Sequence, residues 1–237
     1  MSTARWTAAG ATAAALALLL FPVLRPWPDE TVATTSLALG FASDRWVVAH
    51  LCGILGLGLL APTLLGLRSL LTRTGTVSTR PAPRSVHRSP AGPATAAVVT
   101  AWAGAGLSSL YFGAETFGIR TIAQAALRTG DLTLLDEVTA LREQPVALAT
   151  FGAGLLLVAA AGVLTAVAVW RTGPGTRWAG IPVAIALALF VPQFYGGPGV
   201  RIAYGVLVAA ALLVLAAATL SLGNRLSVRG SPAGRDA

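Results

Sequence analysis

Six stretches of this chain run for about twenty residues each with little or no polar interruption: 7–24, 46–67, 95–115, 146–170, 178–195 and 202–222. Roughly 20 apolar residues in helical conformation cross about 30 Å of hydrocarbon. None of the six alternates apolar with polar residues as a barrel strand does, and a backbone in lipid must satisfy its own hydrogen bonds. The pattern therefore predicts an all-α fold, a polytopic membrane bundle of six transmembrane helices forming a single membrane domain over 1–237. The first stretch, with Arg5 before an Ala/Leu-rich run, also has the outline of a signal peptide. Its length, and Phe21-Pro22 ahead of the loose cleavage pattern Thr31-Val32-Ala33, favour a retained span.

The gaps carry their own patterns. Residues 68–94 hold five arginines, His87 and four prolines, a composition that predicts a flexible basic linker; the tail 223–237 is expected to be disordered. Within 116–145, Ile119, Ile122, Ala123, Ala126 and Leu127 mark one helical face. Gly130-Asp131 breaks that run, and Leu134, Leu135, Val138, Leu141 and Arg142 resume it, with Asp136, Glu137 and Glu143 mostly on the other face. Two short amphipathic helices are predicted there, on lipid or across the bundle mouth. Asp131 is placed to cap the second, and Pro145 to open the fourth span as a first-turn proline.

Charge turns the spans into a topology. One set of gaps holds 11 arginines and a single acid, Asp236; the alternate set holds 6 arginines and 8 acids. Arginine excess marks the cytoplasmic side, so both termini and the 68–94 linker are expected inside and 116–145 outside, in a plasma membrane. Trp6, Trp27, Trp46, Trp170 and Trp178 fall at span ends and read as interfacial anchors, while Trp102 alone sits within a span.

Composition agrees. Of 237 residues, 55% are apolar and 11% charged, with a mean hydropathy of +0.73; an ordinary soluble domain carries about 25% charged residues. The net charge of +8 comes from arginine alone. Its place in the gaps points to the lipid bilayer as partner, with anionic lipid at the 68–94 linker, rather than to nucleic acid. Cys52 is the lone cysteine, so neither a disulfide nor a CxxC metal site forms within one chain.

Candidate chemistry gathers at the outer ends of the spans. The positions Ala97, Ala101, Ala105, Ser109 and Gly113 make a small-residue ridge for close helix approach. A second face of the same span presents Gly104, Ser108, Tyr111, Glu115 and Gly118, with the Tyr111 hydroxyl in reach of the Glu115 carboxylate. Because spans two and three run antiparallel, His50 and Glu115 are expected at one depth. Gln193 and Tyr195 end span five, and Arg201 opens span six, at the same level. The ligand-binding candidates are thus His50, Tyr111, Glu115, Gln193, Tyr195 and Arg201, with no metal or cofactor implied. Ionisable groups near the membrane mark sites, or pair for stability.

Three readings stay open: an outward pocket for a small solute, ion or lipid headgroup; a structural or partner-binding subunit; and a membrane enzyme using Glu115 and His50 as acid and base. Around Ala49-His50-Leu51-Cys52-Gly53 and Tyr111-Phe112-Gly113-Ala114-Glu115-Thr116-Phe117-Gly118, the chain resembles uncharacterised six-span integral membrane proteins of actinobacteria. That resemblance implies a plasma-membrane location and no particular activity.

Overall fold

The computed structural model describes residues 2–76, 89–172 and 176–229, and all regular structure among them is helical. Five helices are long and apolar enough to cross a membrane: α1 (Thr3–Leu24), α3 (Asp44–Thr76), α4 (Ala91–Gly113) with its continuation, α7 (Pro145–Trp170) and α9 (Pro198–Arg229). Short helices α2 (Thr35–Ala42), α5 (Arg120–Thr129), α6 (Asp136–Arg142) and α8 (Ile181–Ala188) complete the chain.

Neighbouring long helices are antiparallel, as their contacts show. A Cβ on Gly66 would meet Thr7 and one on Gly53 would meet Phe21, so α1 and α3 run opposite ways. Arg68 bonds Thr95 at one end of α3 and α4, and Trp46 bonds Glu115 at the other. Between α4 and α7, Gly104 and Gly154 let the backbones touch. A Cβ on Gly104 would stand 2.7 Å from the Gly154 carbonyl oxygen, and one on Gly154 would stand 2.5 Å from Ser108 Oγ. Small residues permit this approach, and dispersion between close backbones then holds the pair. The ridge residues Ala97, Ala101 and Ala105 are buried in the main apolar core.

The fifth apolar stretch departs from a regular span. Only Ile181–Ala188 is α-helical, flanked by 3-10 turns at Arg177–Gly180 and Pro192–Tyr195. Pro192 supplies the reason: it has no N–H to offer the carbonyl of Ala188, and its ring crowds that carbonyl, so the helix stops there. The segment nevertheless runs the length of α7. Trp178 packs on Trp170 at one end and Phe194 on Phe151 at the other.

Helix α3 continues to Thr76 and α9 to Arg229, so both the expected linker and the expected tail begin as helix. Residues 77–88 of that linker and 230–237 of that tail lie outside the described residues. At about 1.5 Å per residue, 33 residues make α3 roughly 50 Å long, well beyond the hydrocarbon.

The 116–145 segment does not begin with a separate helix. α4 passes through a π-helical turn, Ala114–Ile119, into α5, which ends at Gly130 with φ 73°. A left-handed glycine is the common way to stop a helix. Asp131 then caps the 3-10 turn Leu132–Leu135, accepting from Thr133 N, and α6 follows. Helix α2, unmarked by the sequence pattern, supplies what this segment packs on. Leu37, Ala38 and Phe41 join Trp46, Ile119, Ala123, Ala126, Leu135 and Val138 in a second apolar core, a cap at one end of the bundle.

Candidate functional site

The site lies at that capped end, where the last turn of α1, the π-turn and the first turns of α7 and α9 converge. The π-turn starts beside Glu115, and such wide turns are frequent at functional sites because they re-aim the side chains they carry. Trp46 Nε1 donates to the Glu115 carbonyl at 3.1 Å, and Thr116 Oγ1 donates back to the Phe112 carbonyl. Both bonds fix the turn from inside the bundle.

From Glu115 a chain of charges runs outward. Glu115 Oε2 stands 3.5 Å from His50 Nε2, and Arg142 Nε donates to Glu115 Oε1 at 2.7 Å. Arg142 Nη1 donates to Glu30 Oε2 at 2.6 Å, and Arg25 Nη2 donates to Glu30 Oε1 at 2.7 Å. Glu115, Arg142, Glu30 and Arg25, from the π-turn, α6 and the segment that follows α1, thus alternate in charge along one ladder, with His50 of α3 at its inner end. Charge-assisted bonds of this length are the stronger kind.

The ladder shifts the groups outside the spans as its geometry demands. Burial would raise the Glu30 carboxyl, but Arg25 and Arg142 outweigh it and hold the group below the ordinary carboxylate range. Burial would lower Arg142, yet Glu115 and Glu30 together raise it above the ordinary arginine value.

His50 is wholly buried. Its Nδ1 lies 2.8 Å from the Trp46 carbonyl, an acceptor only, so that nitrogen carries the hydrogen. Nε2 then faces Glu115 Oε2 at 3.5 Å with no hydrogen bond.

Beside the ladder opens a cavity of about 850 Å³. Its lining includes the charged side chains of Arg25, Glu30, Glu115, Arg142 and Arg201 and the apolar ones of Phe21, Leu148, Phe151, Leu155, Val191 and Phe194. Beneath the charges lies a belt of ring contacts, from His50 and Phe21 through Phe112 and Phe151 to Phe194, Phe190 and Tyr204. The cavity sits where the fifth stretch has stopped being a helix, and Val191 with the 194–198 turn forms its wall there.

Of the six expected site residues, Tyr111, Glu115, Tyr195 and Arg201 line this cavity. His50 does not; it stands behind Glu115. Gln193 is buried and does not line it either. The Tyr111 hydroxyl donates to the Arg142 carbonyl at 3.4 Å instead of to Glu115, and its ring stacks on Phe151. Tyr195 is 91% exposed at the rim. Arg201 gives its Nε and Nη2 to the carbonyls of Gly196 and Phe194, backbone groups that the broken helix leaves without helical partners.

Sequence reasoning missed Arg25, Glu30, Arg142 and Trp27. One signal for them was present: three of the six arginines on the arginine-poor side are Arg25, Arg142 and Arg201. Two tryptophans read as anchors also belong to the site. Trp46 is fully buried against Phe41 and His50, and Trp27 lies under the guanidinium groups of both Arg25 and Arg201, at 4.2 and 5.4 Å. Trp6, Trp170 and Trp178 are exposed. Among the described residues no group of three His, Cys, Asp or Glu side chains gathers as a metal set.

Comparison with family models, with curated proteins and with solved structures finds no match to this chain. The several long apolar helices make it a multi-pass membrane protein by length and composition, and the site has to be read from its own chemistry.

Proposed function

We propose that this chain is a six-crossing plasma-membrane protein, both termini cytoplasmic, whose outward-facing pocket binds a small amphipathic molecule. The observation that carries the reading is the mixed lining of the 850 Å³ cavity, which combines the ionic side chains of Arg25, Glu30, Glu115, Arg142 and Arg201 with aromatic and aliphatic ones. Ligand pockets of about 300–1,000 Å³ with few polar groups set in apolar walls are the common form of a small-molecule site. The fifth stretch counts as a crossing because its two ends meet the two ends of α7. The arginine bias of the gaps supports the orientation.

Binding is favoured over passage because Phe21, Phe151 and Phe194 of the aromatic belt line the cavity and pack against the buried rings of Phe112 and Phe190. A structural subunit would need only the ladder and would have no use for the open space. An acid–base enzyme is disfavoured because Arg142 holds Glu115 Oε1 and His50, the other half of such a pair, does not line the cavity.

Gly152 provides the test, since it lines the cavity and a Cβ there meets nothing within 4 Å. Purified protein in phosphatidylcholine nanodiscs is titrated with fluorescent dodecyl amphiphiles bearing anionic, neutral or cationic heads. Saturable binding of at least one by wild type, lost in Gly152→Trp, is the expected result. Undiminished binding in that variant overturns the reading.

A further inference from the structure

Three arginines and three carboxylates line the cavity, but they do not pair one to one. Glu30 and Glu115 are its two inward carboxylates, and they serve two arginines: Arg25 bonds Glu30, and Arg142 bridges Glu30 and Glu115. Asp29 also lines the cavity, but it is exposed and spends its Oδ1 on Thr31 N and Oγ1. Arg201 is the third cation, and among the described residues it has no carboxylate partner. It touches the neutral carbonyls of Phe194 and Gly196 and the rings of Trp27 and Phe194.

Two further features raise the positive potential at this spot. Arg25 lies on the same indole as Arg201, so two guanidinium groups share Trp27. The 32-residue helix α9 begins here, with Gly196, Gly197 and Pro198 in the cavity wall. The amino end of a helix carries the equivalent of about half a positive charge. An unpaired cation beside aromatic walls favours an anion far more than it would in water, because little solvent screens it.

We propose that the pocket takes a single-chain anionic amphiphile, its carboxylate or phosphate head against Arg201 and the amino end of α9, its chain along Phe21, Leu155, Phe151 and Phe194. This rests on the reading of the cavity as an amphiphile pocket and adds the charge of the head. A cationic or zwitterionic head fits less well, because Glu30 and Glu115 are already bonded to arginine and have no free claim on an ammonium group. The exposed Leu148 on the rim gives the chain an apolar edge to enter by.

The experiment uses the full chain in phosphatidylcholine nanodiscs and compares dodecanoate, dodecyl phosphate, dodecyltrimethylammonium and inorganic phosphate. Dodecanoate and dodecyl phosphate are expected to bind wild type at least tenfold more tightly than dodecyltrimethylammonium, with inorganic phosphate failing to displace them. In Arg201→Gln their affinity is expected to fall at least tenfold, and in Arg201→Lys to recover in large part. Equal binding of the cationic amphiphile, or an Arg201→Gln affinity equal to wild type, overturns the head assignment. If Gly152→Trp still abolishes binding in that case, the pocket itself stands. Displacement of dodecanoate by inorganic phosphate at similar concentration overturns the amphiphile and leaves a plain anion site. Should Arg201→Gln fail to fold, the head-group comparison on wild type and on Gly152→Trp decides alone.

Discussion

The two ends of the bundle use arginine in opposite ways. At the end that holds the termini, Arg68 bonds Thr95, Arg171 bonds the Ser89 carbonyl, and Arg177 packs between the rings of Trp170 and Trp178. No carboxylate lies in the described residues of that end. At the capped end Arg25, Arg120 and Arg142 each meet a carboxylate at 2.7 Å or less. An arginine excess sets orientation by its number, whatever each side chain touches. Paired and partly buried arginines hold helices in register, and removing one partner strands the other. Sequence counts alone treat both kinds alike.

The largest expected effect is a sided one. In a Cys52→Ser background, a cysteine at position 128 in the cap should be labelled in intact cells by an impermeant maleimide, and Ser89→Cys should not. The reverse pattern would invert the bundle and with it the direction in which the pocket faces.

Next in size is Glu115→Leu. It leaves Arg142 half served and sets an apolar group against His50; losing one partner of a buried pair costs about 3–5 kcal/mol. Thermal unfolding in detergent should fall steeply, and a change indistinguishable from wild type would show that the ladder contributes nothing.

Acid supplies a graded version of the same break. Glu30 is held below its ordinary range, so its contribution to stability is complete above that range and disappears as pH falls through the lowered folded value. Melting temperature should therefore hold down to the ordinary carboxylate range and drop only at more acidic pH. In Glu30→Gln the size of that drop should shrink.

Arg68→Gln, at the terminal end, should change stability by no more than about 0.5 kcal/mol, in line with an exposed contact. A loss as large as that of Glu115→Leu would erase the distinction between the ends.

Much of this was legible along the chain. Apolar run length gives the long helices, and counting from the span ends puts His50 and Glu115 at one depth, where they meet at 3.5 Å. Asp131 and Pro145 take their expected places as cap and first-turn residue. The rest of the ladder was not legible: Arg25 and Glu30 lie outside the apolar runs, where no periodicity fixes the path, and Arg142, though on the helical pattern of its segment, carries nothing in that pattern to aim it at Glu115. Helix α2 escaped notice since eight residues, Thr35–Ala42, are too few for an apolar repeat to stand out from a gap. Hydropathy also hides the break at Pro192: proline and glutamine barely lower the average of a stretch otherwise built from Leu, Ala, Phe and Val. Trp46 shows a further limit, since interfacial and buried tryptophans look identical until the neighbouring cap is known.

The early stop of α8 carries a consequence for how such a protein can change over time. The wall of the cavity from Val191 to Gly197 belongs to no long helix; Phe194 still packs on Phe151 of α7, but a substitution at the exposed Tyr195 leaves the α1, α3, α4 and α7 seams untouched. Residues that shape ligand choice are thereby separated from residues that keep the bundle assembled. A lineage can vary such a position freely and acquire new preferences while the scaffold stays the same.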